Sequence, residues 1–452
     1  MPIIDESQVR DATEVNLRLN ETRSAAFKRS RQSLSLDDLL AELQRISDLP
    51  LEEATTMPRE AYSSEEFFAW ECDQLFRPGW VALAHTSQLP LTGDFINIDW
   101  LGEPLIVLRD KSGEIRVLSR SCPHRGMDIM PPGFGHDGHG PAEGREGGEG
   151  RGNTRLLLCP YHSWTFELDG QLKACAEMGQ AKDFCRSDWS LKEFRSEIWN
   201  GFIFVNLDGT AEESVAEQYA DLADEVAAWN IGEMQVVFES HWDIACNWKI
   251  LAENFMESYH HAGTHTKTLQ PIMPARGTWT EEEKPDYIRC HLPYGDKARV
   301  EVAAAESEGR QWNAFPTIPG LDDARRHEWG LVMGYPLFTF VTGPDQIVWY
   351  RIEPVASDRL RLMTTVMVPE STTRHPDFPS MLERGRREAV EFHLEDMEVL
   401  CAVQRSTLAD GYQRGRLSHL EMPVWLIQRF IAASIRGTKP ASDRPAAASQ
   451  RP

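Results

Sequence analysis

The chain lacks any long apolar run. Nowhere do about 18 consecutive apolar residues occur, so no segment is expected to span a membrane. Its first residues, MPIIDESQVRDATEVNLRLNE, lack the apolar core of a secretory signal, and a cytoplasmic protein is the expectation. Positive charge is scarce: 47 Lys and Arg face 70 Asp and Glu, a net −23 that repels phosphate backbones, so no nucleic acid partner is expected. Cysteine is sparse too. Eight in 452 residues are too few for a disulfide scaffold, and a reducing compartment would leave them as thiols. No internal repeat is visible. With 41% hydrophobic and 26% charged residues the chain has the balance of a globular protein. Its length suggests two or three domains at about 150 residues each.

The texture changes along the chain. Residues 1–59 read as a polar arm followed by a helix, with Ser35 as its cap and Leu39, Leu40, Leu43 and Ile46 at amphipathic spacing. A second helix is expected from Glu65 to Phe76, ahead of Pro78-Gly79. Residues 80–118 alternate short apolar stretches with Gly, Pro and Asp turns, the signature of β structure, and strands recur near 154–158, 163–168 and 198–207. Residues 60–207 therefore read as one β-rich domain. Within it the segment 132–153 is a glycine-rich insertion expected to form a flexible surface loop. A helix capped near Asn247 is expected to run through Tyr259. Residues 331–368 read as an antiparallel meander, followed by a long helix from Pro379 to Leu408 and another from Pro423 to Ile435. These assign 208–437 to a second domain, and the composition of 438–452 reads as a disordered tail.

Two of the eight cysteines have histidines at ligand spacing. Cys122-Pro-His124-Arg125-Gly126 and Cys159-Pro-Tyr161-His162-Ser163-Trp164 form C-x-H and C-x2-H pairs. Four such residues could hold a tetrahedral zinc. They could equally hold a [2Fe–2S] cluster with two thiolates on one iron and two neutral imidazoles on the other, which raises the reduction potential. His136 and His139 lie in the glycine-rich insertion and read as solvated loop residues.

A second constellation follows in Glu257-Ser258-Tyr259-His260-His261-Ala262-Gly263-Thr264-His265. Two histidines and a carboxylate on one face of an iron leave positions open for O2. By helix geometry His261 and His265 share a face, whereas His260 reaches His265 only if the helix stops near Gly263. In the helix REAVEFHLEDMEVLCAVQRS, Asp396 falls on a stripe with Phe392, Val399, Leu400 and Val403. A carboxylate in an apolar stripe needs a partner, either a metal or a buried Arg.

The first pair of motifs resembles the Rieske domain of the ring-hydroxylating oxygenase α subunits, with Cys122, His124, Cys159 and His162 at its cluster-ligand positions. The spacing between His124 and Cys159 is about double the family's usual one, the excess being the glycine-rich insertion. The second constellation is similar to the same family's iron site: the pattern matches Glu257, His260 and His265, with Asp396 on the carboxylate-ligand helix and His261 outside the set. The resemblance implies an α+β protein, an N-terminal Rieske [2Fe–2S] β domain followed by a helix-grip (START-like) catalytic domain with an antiparallel sheet. It implies mononuclear Fe(II) and a terminal oxygenase that hydroxylates or oxidatively demethylates a small organic substrate with O2. Electrons would come from a separate NAD(P)H-dependent reductase or ferredoxin, since no flavin or nicotinamide fingerprint appears here. Glu257, where most members have Asp, resembles the α-only trimeric branch acting on glycine betaine, carnitine and stachydrine. In that branch Glu257 would link His260 to the cluster of a neighbouring subunit. An aromatic cis-dihydroxylating dioxygenase is the alternative, and a bare Rieske electron carrier is disfavoured by the length after the first motif. Trp329, Tyr335, Phe338, Phe340, Trp349 and Tyr350 could form an aromatic cage for a cation, or plain core.

Overall fold

The computed structural model describes residues 33–129 and 150–440. The expectations for the arm before residue 33, for the insertion through residue 149 with His136 and His139, and for the tail from 441 lie outside the described residues. What is described divides into two compact units, residues 77–217 and residues 33–76 with 218–440. Among the described residues no helix is long and apolar enough to cross a membrane.

The 77–217 unit is built from three antiparallel sheets. One has the order β4-β3-β2-β5, from β2 (Asp94–Trp100), β3 (Glu103–Arg109), β4 (Ile115–Ser119) and β5 (Arg151–Asn153). The second is β1 (Val81–His85), β10 (Phe202–Asn206) and β9 (Arg195–Trp199), and the third is β6 (Leu157–Leu158), β7 (Thr165–Phe166) and β8 (Leu172–Ala174). The apolar run in β3 has a simple cause. Side chains alternate across a strand, so Leu105 and Val107 enter one hydrophobic cluster while Ile106 and Leu108 enter another. The second cluster also buries Cys122 and Cys159.

Two expectations are corrected here. Residues 198–207 are not one strand but the end of a hairpin, turned at Asn200-Gly201 with both residues in the left-handed region. A Cβ on Gly201 would come within 2.2 Å of the His85 ring, so only glycine fits. The last residues of the glycine-rich segment, 151–153, are paired with β2 and belong to the sheet.

The other unit carries a seven-stranded antiparallel sheet of order β11-β17-β16-β15-β14-β13-β12. Its members are β11 (Met234–Ile244), β12 (Trp279–Thr280), β13 (Tyr287–Pro293), β14 (Glu328–Gly334), β15 (Phe338–Thr342), β16 (Ile347–Ala356) and β17 (Arg359–Pro369). The helices α1 (Leu36–Ser47), α2 (Glu65–Glu71), α3 (Trp248–Met256), α4 (Phe378–Thr407) and α5 (Met422–Arg436) complete the helix-grip arrangement, with α4 packed against α3 and β11. The meander was expected, but β11 was not. Its half-buried, polar-rich face hid the period-2 signal, and Trp242–Ile244 lies in this strand rather than leading into a helix. Helix α3 starts where Asn247 caps it, the side chain accepting the Lys249 N–H at 3.0 Å.

The domain boundary expected at residue 60 is also corrected, since 60–76 belong to the unit with the seven-stranded sheet. The cause is a buried polar seam. Lys249 Nζ donates to Glu71 Oε1 at 2.6 Å with both side chains fully buried, the Tyr62 hydroxyl donates to Glu253 at 2.9 Å, and Ser357 donates to Glu65 at 2.7 Å. Burial holds the Lys249 ammonium below its ordinary pKa and pushes the Glu71 carboxyl up, so each ion is tolerated only because of the other. Glu71→Ala is expected to cost about 3–5 kcal/mol by stranding Lys249, whereas Glu71→Leu combined with Lys249→Met is expected to recover most of that. Urea midpoints of the two variants check this, and equal losses in both would contradict it.

Candidate metal centres

In the 77–217 unit the two Cys/His motifs form matching tight turns. Cys122 N–H donates to Met127 O at 2.9 Å and Gly126 N–H returns to Cys122 O at 2.8 Å. In the second turn Cys159 N–H donates to Trp164 O at 2.8 Å and Ser163 N–H returns to Cys159 O at 3.0 Å. Gly126 and Ser163 both take positive φ, and for Ser163 that backbone costs energy which the turn must offset. Both thiols are at most 2% exposed. The rings of His124 and His162 lie 4.6 Å apart, and Trp164 stacks on His124 at 4.8 Å. The Nδ1 atoms of both histidines are buried without a hydrogen-bond partner. Buried acceptors are rarely left this way, and two beside two buried thiols fit a cluster bound through Nδ1. Burial, reinforced by Cys159, pushes the Cys122 thiol up to about 11, so loading the site must displace protons.

In the other unit α3 stops at Met256, earlier than the helix expected through Tyr259. Glu257 is extended, and a short 3-10 turn carries Tyr259–Ala262. The contact between Glu257 and His260 nevertheless forms, by capping rather than by a shared helical face. Glu257 Oε2 accepts the His260 backbone N–H at 3.1 Å and Oε1 accepts from His260 Nδ1 at 2.7 Å. The turn continues past Gly263, with His265 N–H bonded to His261 O, and this swings His265 back toward His260.

Asp396 meets them from α4. His265 Nε2 lies 3.0 Å and His260 Nε2 3.6 Å from Asp396 Oδ1. One ligand atom from each of the three lies within 4.8 Å of the others, a set that could hold a metal ion. Both Nδ1 atoms are taken by carboxylates, Glu257 for His260 and Glu395 for His265 at 2.7 Å, and this leaves both Nε2 atoms turned toward Asp396. Thr268 in turn donates to Glu395 at 2.6 Å. Burial pushes the Asp396 carboxyl up, but the His265 hydrogen bond and the histidine charges more than offset it, and the net direction is down. Gln404 ties the two helices together, accepting the Asn247 N–H at 2.7 Å while donating to Tyr62 O at 3.1 Å.

His261 is turned away. It is 3% exposed, its Nδ1–H donates to Met273 O at 3.2 Å, and burial drives its pKa down to about 3, so it is neutral. His261→Ala is expected to keep bound iron and most activity. Loss of iron from that variant, read by metal analysis, would contradict the choice of histidines.

The apolar stripe expected on α4 is displaced. Val403 is 42% exposed, and the buried face runs through Val390, His393, Met397, Leu400 and Gln404, with Asp396 at its margin. Sequence reasoning did not identify the roles of Glu395 or of Thr268, which carried no signal. His393 was also missed: its Nδ1–H donates to Ala389 O at 2.5 Å, while its buried Nε2 has no partner.

A cavity of about 600 Å³ opens beside the triad. Of the six aromatics considered for a cage, only Trp329 and Tyr350 line it. Trp349, adjacent to Tyr350 on β16, faces the other side by strand alternation and is core. Tyr335 stacks on Phe430 at 4.0 Å, and Phe338 packs on Tyr219 and Phe340.

A thiol–imidazole site of this kind in one unit and a two-histidine, one-carboxylate triad in the other define a protein class: a two-centre non-haem iron oxygenase. Residues 79–193 match the Rieske [2Fe-2S] domain, and residues 231–437 match the ring-hydroxylating α subunit catalytic domain. The chain belongs to the Rieske non-haem iron oxygenase α-subunit family, and its cofactors are a Rieske [2Fe–2S] cluster and mononuclear iron. It is 29% identical over 375 residues to the carnitine monooxygenase oxygenase subunit of Acinetobacter baumannii, covering 80% of this chain and 88% of that one. It is 28% identical over 258 residues to the glycine betaine monooxygenase oxygenase subunit of Chromohalobacter salexigens, covering 57% and 52%. The fold is similar to that of a solved quaternary ammonium Rieske monooxygenase, at 21% identity and TM-score 0.68, covering 89% of this chain and 99% of that one.

Proposed function

We propose that this oxygenase hydroxylates or oxidatively demethylates a quaternary ammonium compound, with His260, His265 and Asp396 holding Fe(II) and Cys122, His124, Cys159 and His162 holding the cluster. When bound, the cluster supplies single electrons and the iron activates O2 toward a C–H bond. The chain's own part is orientation. Glu257 and Glu395 hold His260 and His265 through their Nδ1 atoms, so that both Nε2 atoms converge with Asp396 Oδ1 and could bind a metal there. That convergence is the observation that carries the reading.

The relatives tilt the substrate toward amines. Those reported above act on carnitine and glycine betaine, and Glu257 fits the same branch. An aromatic dioxygenase is the weaker reading. We further place the protein in the cytoplasm as a homotrimer fed by an NAD(P)H-dependent reductase or ferredoxin. Glu257 would join His260 to the cluster of a neighbouring copy through its His162, in keeping with the inter-subunit electron transfer described for the quaternary ammonium monooxygenase. A surrogate reductase with a panel of quaternary amines and arenes tests the substrate. Formaldehyde or hydroxylated amine is the expected product, and exclusive formation of ring cis-diols would contradict the amine assignment.

A further inference from the structure

Asp345 sits in the turn between β15 and β16 and is 1% exposed. Its Oδ2 accepts the Phe315 N–H at 3.0 Å, but its Oδ1 is fully buried with no hydrogen-bond partner. The residue lines the same cavity as His260, His265 and Asp396. Arg384 lines that cavity too, yet its guanidinium is engaged by Glu388 Oε1 at 2.7 Å and by Trp312 O at 2.5 Å. The other cations at the cavity, Lys267 and Arg310, are exposed to solvent, with Arg310 beside Glu308. A carboxylate buried with an unmet acceptor and no cation of its own is a site waiting for a donor or a positive charge.

The walls suit a positive charge. Tyr294, Trp312 and Trp329 line the cavity, the first two with ring centroids 5.3 Å apart. Trp329 Nε1–H donates to the Tyr294 hydroxyl at 3.0 Å, and that hydroxyl donates to Asn313 Oδ1 at 3.3 Å. The polar ends of Trp329 and Tyr294 are thereby satisfied, and aromatic ring faces attract cations. Burial pushes the Asp345 carboxyl up to about 7, with Glu388 acting in the same direction and the Phe315 N–H, its own backbone N–H and Arg384 against it. A bound cation would favour the ionised form.

We propose that Asp345 is the charge-reading residue of the substrate cavity, holding a cationic ammonium head beside Tyr294, Trp312 and Trp329. This rests on the proposed quaternary ammonium function and names the group that recognises the charge. Calorimetric binding to the holoenzyme tests it with an isosteric pair, choline and its neutral carbon analogue 3,3-dimethylbutan-1-ol. The wild type is expected to bind choline roughly tenfold or more tightly than the neutral compound. Asp345→Asn keeps the shape and the acceptor for Phe315 N–H. It is expected to cut that preference at least fivefold, the ring faces keeping the remainder, and to leave the neutral compound's affinity within about twofold. No preference in the wild type overturns the proposal whether or not the variant folds, and so does a preference that is undiminished in Asp345→Asn. Binding is read without turnover. A cation preference in a protein that oxidises nothing would therefore keep this inference and sink the oxygenation of amines, while an active enzyme without the preference would do the reverse.

Discussion

Asp396→Ala is expected to lose all measurable turnover and its mononuclear iron while keeping an unchanged visible cluster spectrum. Asp396 Oδ1 is the only carboxylate oxygen that the structure brings to both His260 Nε2 and His265 Nε2 among the described residues. Without it two neutral imidazoles remain, and a two-nitrogen site holds Fe(II) weakly because the charge on the metal has no anionic ligand. The four cluster ligands all lie in the 77–217 unit, so nothing in their turns depends on α4. Iron per chain should fall by about one while acid-labile sulfide stays level. Retained mononuclear iron with retained activity would remove Asp396 from the ligand set, and loss of the cluster as well would mean the variant had misfolded the chain more widely.

Glu257→Gln is expected to keep both centres and still slow product formation by roughly 100-fold or more. Glutamine preserves the length of the side chain but can turn only one oxygen toward either His260 Nδ1–H or the backbone N–H. The native carboxylate accepts from both, at 2.7 and 3.1 Å. Chemical reduction of the cluster should proceed at the native rate, because Cys122, His124, Cys159 and His162 are all unaltered. Reoxidation of the reduced cluster by O2 and substrate should be the slow step. Mixed assemblies sharpen this. Cys122→Ser chains lack the cluster and Asp396→Ala chains lack the iron, so each alone is dead. Verified mixed trimers should recover activity if electrons cross between copies, and none would be recovered if each chain serves itself.

The two metal-binding patterns were legible because their chemistry dictates residue type and near spacing: C-x-H with C-x2-H, and paired histidines beside a carboxylate. The choice of His260 over His261 was less so. Helix periodicity alone favours His261 with His265, and only the early stop of α3 at Met256 and the turn around Gly263 bring His260 into the site. Glu257 reaches His260 through a cap rather than along a helical face, although both geometries link positions three apart. Strand β11 was missed because its face is only half buried, which blurs alternation. The boundary at residue 60 failed because the Glu71–Lys249 pair joins residues far apart in the chain, and no local signal reports such a pairing. The cavity was legible only in part. Of the candidate aromatics Trp329 and Tyr350 line it, while Asp345 stands in a Gly-Pro-Asp turn, where an aspartate carries no signal beyond the turn itself.

The measurement that bears most directly on two iron centres in one chain is the content of iron, zinc and acid-labile sulfide in freshly purified protein, together with its EPR spectrum after chemical reduction. The account predicts a red-brown protein with about three iron atoms and about two sulfides per chain and a Rieske-type signal on reduction. A colourless protein carrying stoichiometric zinc and no acid-labile sulfide would contradict it.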